Sequence, residues 1–352
     1  MTTLIVPCGG KSSRFPNMRP KWLLTHPDGH LMIEKAINCL DLRLYERVIV
    51  TIIDKHRTEY EADLILRQAL SNINNLEICV LDEQTTCAAE TVFKTIEKMN
   101  IKGAFVVKDS DNLVDFSAPE TGGNYIVSYD ITKHPDVPNI PGKSFIKINE
   151  QEIVLSIVEK AVVSNRICLG VYSFSDARQF QDAYEQLQYL GLEGELYLSQ
   201  VISFMIDRKQ QIFYSVDATN FEDWGTLKEW CAVQKRMTTY FCDVDGVLLR
   251  NRGKFGSKNW SNTCEPLLDN ISEIVNLQNK GAQIIITTSR SEDYREALVE
   301  CLESYGIHPY AIIFGLNHAP RVVINDFANT NPYPSCSAIN MPRNASLKEY
   351  IK

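Results

Sequence analysis

The sequence predicts an α/β protein built as two successive units, a larger one followed by a smaller one. Three observations predict it. Short apolar, β-branched runs alternate with longer segments of helical period; the alternation restarts near residue 239; and the 352-residue length suits two domains better than one. Continuous apolar strands separated by helices imply a mainly parallel sheet covered on both faces.

The predicted strands of the first unit are 3–7, 47–53, 77–81, 104–107, 125–129, 153–158 and 167–174. Helical period covers 31–42, 57–70, 89–99, 176–190, 196–208 and 226–236. The boundary falls near Met237, giving units 1–237 and 238–352. The second unit restarts at 239 with an apolar strand running into an acidic turn, then reads as helix 265–280, strand 283–288, helix 292–305, and short strands 311–314 and 321–324.

Composition excludes several classes. Hydrophobic residues make up 44% and charged residues 23%, which rules out global disorder or a rod. The formal net charge is −8, the wrong sign for a protein whose main ligand is nucleic acid. No apolar run approaches the roughly 18 residues of a membrane span, and the N-terminus lacks a basic n-region. None of the ten cysteines forms a C-x-x-C pair, so they read as reduced thiols of a cytoplasmic protein.

Chemistry first enters at Gly9-Gly10-Lys11-Ser12-Ser13-Arg14, directly after the first strand. A glycine-rich turn there lets backbone N–H groups approach phosphates, and Lys11, Arg14 and Lys21 add positive charge. This loop and the following Pro20-Lys21 resemble the signature of nucleotidyltransferases that activate sugar phosphates, with Ser12 where the third glycine usually stands. The GGKSSR form resembles the molybdopterin guanylyltransferase variant. Further segments resemble the family in order: 81–92 with Gln84 at the nucleobase, 104–112 ending at Asp111 with Asp109 as its rival, Glu159-Lys160 at the sugar phosphate, Glu195 by the sugar pocket, and Asp223-Trp224-Gly225-Thr226.

The resemblance implies a Rossmann-like mixed sheet and transfer of a nucleotidyl group from a nucleoside triphosphate to a sugar or polyol phosphate, with release of pyrophosphate. Asp111 and Asp223 would hold Mg²⁺, which favours carboxylate and phosphate oxygens. Arg14 and Lys21 would stabilise the transferred phosphates, and Lys160 would grip the acceptor.

The second unit opens with Asp243-Val244-Asp245-Gly246 after a strand. Two carboxylates so spaced suit a nucleophile, Asp243, and a general acid/base, Asp245. This segment resembles motif I of the haloacid dehalogenase (HAD) superfamily. Thr288 and Ser289 resemble its phosphoryl-binding motif, with Thr287 as a further alternative. Arg321 stands in for the usual Lys, and Asn325-Asp326 follows. A smaller Rossmann-like HAD domain is implied, without room for a cap, that hydrolyses a phosphomonoester with Mg²⁺ held by Asp243, Asp245 and Asp326. The resemblance implies a bifunctional enzyme of nucleotide-activated sugar synthesis for surface polysaccharide, compatible with a homo-oligomer. Its rival is a transferase with an inactive HAD module that serves structure or dimerisation.

Overall fold

The computed structural model describes residues 2–119, 123–134, 137–191, 195–252, 260, 265–326 and 335–351. The chain divides into two compact units, Met1–Trp230 and Cys231–Lys352. The division falls seven residues before the predicted boundary, within a helix spanning Leu227–Arg236.

In the first unit, β1 (Thr2–Pro7), β2 (Arg47–Ile53), β3 (Leu76–Leu81) and β4 (Ala104–Lys108) are parallel, in the order β3-β2-β1-β4. These strands are the predicted apolar runs. Beyond β4 the sheet becomes mixed. β9 (Arg166–Phe174) runs antiparallel to β4, and β6 (Tyr125–Asp130) antiparallel to β9. β10 (Tyr214–Asp223) is parallel to β6, and β5 (Asn112–Phe116) closes the edge antiparallel to β10. A hairpin of β7 (Ser144–Ile148) and β8 (Val154–Glu159) joins through β7 to β9.

Both faces of this sheet are covered, as continuous apolar strands require. Ile5 packs into one core with Ala89, Val92 and Ile96 of α4 (Ala88–Lys98), Phe180 and Tyr184 of α5 (Ala177–Tyr189), and Val201 and Met205 of α6 (Leu198–Lys209). Its neighbours Leu4 and Val6 point to the opposite core, with Ile33 and Ile37 of α1 (Met32–Asn38) and Leu66 of α3 (Ala62–Ala69).

Three strands, β5, β7 and β10, escape the sequence reading. β10 is mostly polar and half exposed, so its hydrophobic signal is weak. The predicted helix 57–70 is in fact two, α2 (Asp54–Tyr60) and α3, broken at Glu61, whose φ of +51° is left-handed.

In the second unit, β11 (Thr239–Asp243), β12 (Gln283–Thr287) and β13 (Ala311–Ile313) form a parallel sheet in that order. α8 (Leu268–Asn279) and α9 (Arg295–Ser304) pack Ile271, Ile274, Leu298 and Leu302 against Ile284 and Ile286. The predicted strand 321–324 does not form. Val322 and Ile324 are 80% and 93% exposed, so its apolar side chains bury almost nothing and gain no reason to pair. The expectation that every cysteine is reduced is corrected at Cys301, which is disulfide-bonded; among the described residues eight others are free. Among the described residues no helix is long and apolar enough to cross a membrane.

The break at Glu61 gives a test. Glu61→Gly is expected to leave chemical-denaturation stability unchanged or to raise it, because glycine adopts positive φ without the side-chain penalty. In a continuous helix the same change would cost about 1 kcal/mol.

Candidate active site

The chain leaves β1 through the loop 8–14, which is tied down on two sides. Cys8 N–H donates to Thr51 O (2.8 Å), and Thr85 N–H donates to Gly9 O (3.2 Å). A Cβ on Gly9 would lie 2.9 Å from Thr85 Oγ1 and 3.2 Å from Thr91, so this close approach needs glycine. Ser12 has φ +47°, the conformation for which a glycine is usual, and its carbonyl accepts from Phe15 N–H (2.9 Å). Gly10, Lys11, Ser12, Ser13, Arg14 and Lys21 then line a cleft of about 420 Å³.

Two carboxylates stand at the floor of this cleft. Asp223, the last residue of β10, pairs in register with Asn112, the first residue of β5. Trp224 N–H continues the ladder to Asp111 O (2.9 Å). The pairing thereby sets Asp111 beside Asp223. A Cβ on Gly225 would lie 3.1 Å from Asp111 Oδ2, 3.1 Å from Asp223 Oδ1 and 3.6 Å from the Arg14 guanidinium. Three charged side chains therefore converge on one glycine.

Each carboxylate has a lysine. Lys21 Nζ lies 2.5 Å from Asp111 Oδ2, and Lys143 Nζ pairs with Asp223 Oδ2. Burial works against the charge on Asp111, yet Lys21, Arg14 and Lys143 outweigh it and hold the carboxyl at about 2. Asp109 goes the other way. Burial and the neighbouring Asp111 carboxylate push it up to about 6. The three-residue link between β4 and β5 is pinned from beneath by Lys108, whose fully buried ammonium donates to Asp109 O (2.7 Å), Asn112 O (2.9 Å) and Asn112 Oδ1 (2.5 Å).

The opposite wall carries Glu159, Lys160 and Glu195. Glu159 Oε2 accepts from Ser144 Oγ and from Ser199 Oγ (2.6 Å). Lys160 Nζ sits 4.2 Å from the Tyr197 ring centroid and bonds its hydroxyl, which in turn donates to Glu195 Oε2 (2.8 Å).

Of the residues predicted from sequence, the cleft gathers Gly10, Lys11, Ser12, Ser13, Arg14, Lys21, Asp111, Glu159, Lys160, Glu195 and Asp223. Gly9 is buried behind the lining, and Gln84 is exposed outside it, so the sequence placement of Gln84 at the nucleobase is not reproduced. Thr86, Cys87 and Ala88 line the cleft there instead. Lys143 and Tyr197, which also line the cleft, had no role assigned from sequence. Lys143 ends the proline-rich stretch 133–143, a candidate lid over the sugar site, and Tyr197 lies in the segment 193–199 that resembles the sugar pocket.

Hard carboxylate oxygens at Asp111 and Asp223 fit Mg²⁺, which needs few protein ligands when phosphates supply the rest. Among the described residues no group of three or more acidic, His or Cys side chains is arranged to hold a metal alone.

In the second unit, Asp243 ends β11 beside Thr287 of β12, with the Arg321 guanidinium 3.2 Å from its Oδ1. Burial raises the Asp243 pKa, against the pull of Arg321. Asp245 is engaged by a buried Arg290 through two bonds of 3.0 and 2.7 Å. Thr288 is buried and its hydroxyl accepts from Arg290 N–H (3.2 Å); Ser289 is partly exposed beside it. Asp326 lies on the exposed, non-strand segment and does not join Asp243 and Asp245, contrary to the predicted metal set. Most of the basic, polar segment 250–263, which reads in sequence equally as a substrate loop or a solvated one, lies outside the described residues.

The first unit, then, has a half-parallel mixed sheet with its cleft at the C-terminal end of β1, the architecture of nucleotide-sugar pyrophosphorylases. Among solved structures the chain is similar to the nucleoside-diphosphate-sugar pyrophosphorylase from Vibrio cholerae RC9, at 20% identity and a TM-score of 0.56 over 65% of this chain and 98% of that one. It is also similar to a UDP-glucose pyrophosphorylase complexed with UDP-glucose, at 15% identity and a TM-score of 0.51 over 66% and 97%. Likeness at this level is a likeness of fold. No protein-family model matches the chain, and no curated protein does.

The raised Asp109 carboxyl makes a signed prediction. Its ionisation is disfavoured in the folded state, so it removes stability as pH rises from about 4 through about 6. Asp109→Asn is expected to stabilise the protein at neutral pH, with the gain fading as the pH falls toward about 4, as read from melting curves across that range. Gly170→Ala should do the reverse. Gly170 has φ +71°, and a Cβ there would press within 3 Å of the Asp109 carboxylate. A loss of about 2 kcal/mol or more at neutral pH is expected.

Proposed function

We propose that the first unit transfers a nucleotidyl group from a nucleoside triphosphate to a sugar or polyol phosphate and releases pyrophosphate. The observation that carries this reading is the convergence of Asp111, Asp223 and Arg14 on Gly225, beneath the loop 9–14 in a single cleft. The loop backbone with Lys11, Arg14 and Lys21 binds the triphosphate and neutralises the charge that grows on the leaving pyrophosphate. Lys160 binds the acceptor phosphate, and Glu159, oriented by Ser144 and Ser199, accepts from its hydroxyls. Holding the acceptor oxygen in line with the α-phosphorus supplies much of the rate, since little covalent work falls to the protein. Asp111 and Asp223 would hold Mg²⁺, which when bound supplies Lewis-acid polarisation of the phosphates.

Pyrophosphate release tests this across four nucleoside triphosphates and a panel of sugar and polyol phosphates. One pair is expected to react, and Asp111→Ala to slow it by at least about a hundredfold. If no pair reacts, the transferase reading is lost.

For the second unit the phosphomonoester reading rests on Asp243, placed at the end of β11 beside Thr287 with Arg321 as a counter-charge. The Arg290–Asp245 pair favours a second reading, a non-catalytic module, because it occupies the carboxylate needed for proton transfer. Phosphate release from an aryl phosphate with Mg²⁺ separates the two. Release abolished by Asp243→Asn supports the first; none in the unaltered protein supports the second.

A further inference from the structure

Lys143 was given no part in the reaction above, yet it holds one of the two carboxylates on which the metal site depends. Both oxygens of Asp223 are engaged: Oδ1 accepts from Gly225 N–H (3.0 Å), and Oδ2 pairs with Lys143 Nζ. At Asp111, Lys21 takes Oδ2. A divalent ion that ligates Asp223 must therefore displace the Lys143 ammonium or sit beside it as a like charge, and at such separations in a part-buried site that repulsion is large. Lysine is suited to displacement, because its ammonium is a compact point charge on a flexible stem with three rotatable donors. It also has somewhere to go. The Lys143 carbonyl accepts from Lys160 N–H (3.1 Å), and Ser144 pairs in register with Glu159, so Lys143 is rooted beside the acceptor-phosphate wall of the same cleft. Its ammonium also lies 5.3 Å from the Phe221 ring centroid, an aromatic face that tolerates a cation in transit.

We propose that Lys143 is a resident counter-cation that holds Asp223 in position, yields it to the divalent ion, and turns to a substrate phosphate. This deepens the transferase reading and rests on it. Two consequences follow with opposite signs. Lys143 weakens metal binding to the free protein and strengthens substrate binding, so metal and phosphate substrates become mutually dependent. A lysine that served only the local fold would, when removed, weaken both.

The test uses the full chain and Mn²⁺ alone as the probe, with free ion counted by electron paramagnetic resonance. Lys143→Met is expected to tighten Mn²⁺ binding at least about fivefold, the lower end of typical site-to-site coupling. Lys143→Arg, which keeps the charge but exchanges it less readily, should bind Mn²⁺ no more tightly than the unaltered protein does, and Asp223→Asn should lose the site. In the pyrophosphate-release assay Lys143→Met should raise KM for a phosphate substrate. If the variant is unstable, melting curves carry the same information: Mn²⁺ should raise its melting temperature more than that of the unaltered protein. Unchanged or weaker Mn²⁺ binding in Lys143→Met, with a site that Asp223→Asn removes, overturns this proposal alone. Absence of Mn²⁺ binding in the unaltered protein overturns the metal-dependent transferase reading with it.

Discussion

The antiparallel pairing of Asp223 with Asn112 is the constraint on which the first unit's chemistry depends. Register is unforgiving in a sheet, because a slip of one residue turns each side chain to the other face. With this register, and with Trp224 extending it by one more bond, the carboxylates of Asp111 and Asp223 share one small space. Two like charges at a partly buried sheet end are unfavourable unless cations answer them. The surroundings supply Lys21, Lys143 and Arg14, and Lys108 pins the connecting link from below. Removing one member of such a cluster leaves an unanswered charge, which is why the cluster couples fold to chemistry.

The two units use charged pairs differently. In the first, lysines on flexible stems meet the carboxylates, an arrangement with the mobility that exchange would need. In the second, the planar guanidinium of buried Arg290 clasps Asp245 with two bonds, a geometry that resists exchange. Arg321, which is exposed, makes a single contact with Asp243 and leaves that carboxylate more accessible.

Sequence and structure agree where burial governs. The parallel strands β1, β2 and β4 are apolar runs buried on both faces, and their pattern has one reading; β3, at the sheet edge, is half-buried. The glycine loop, Lys21, Asp111, Lys160 and Asp223 were named from their resemblance to a family's ordered motifs, and all of them except Gly9 line one cleft. Lys143 and Lys108 were not. A lysine carries no sign in sequence of whether it ends in solvent or under a sheet, and only the β7–β8 hairpin and the β4–β5 link decide it. β10 was missed because half of its side chains face water. Arg321–Ile324 shows the opposite failure: the apolar run is real, but no surface receives it, so composition alone signalled a strand.

Ser12 has a wider consequence. Glycine in the unfolded chain samples far more conformations than serine, and ordering it costs correspondingly more. A serine held at φ +47° begins with fewer conformations to lose, while bearing local strain. The loop of this chain thus trades disorder in the unfolded state for tension in the folded shape. The Ser12 hydroxyl also accepts from Lys21 N–H (3.4 Å), a tie that a glycine could not make. The loop is therefore held to a narrower range of shapes than three glycines would allow.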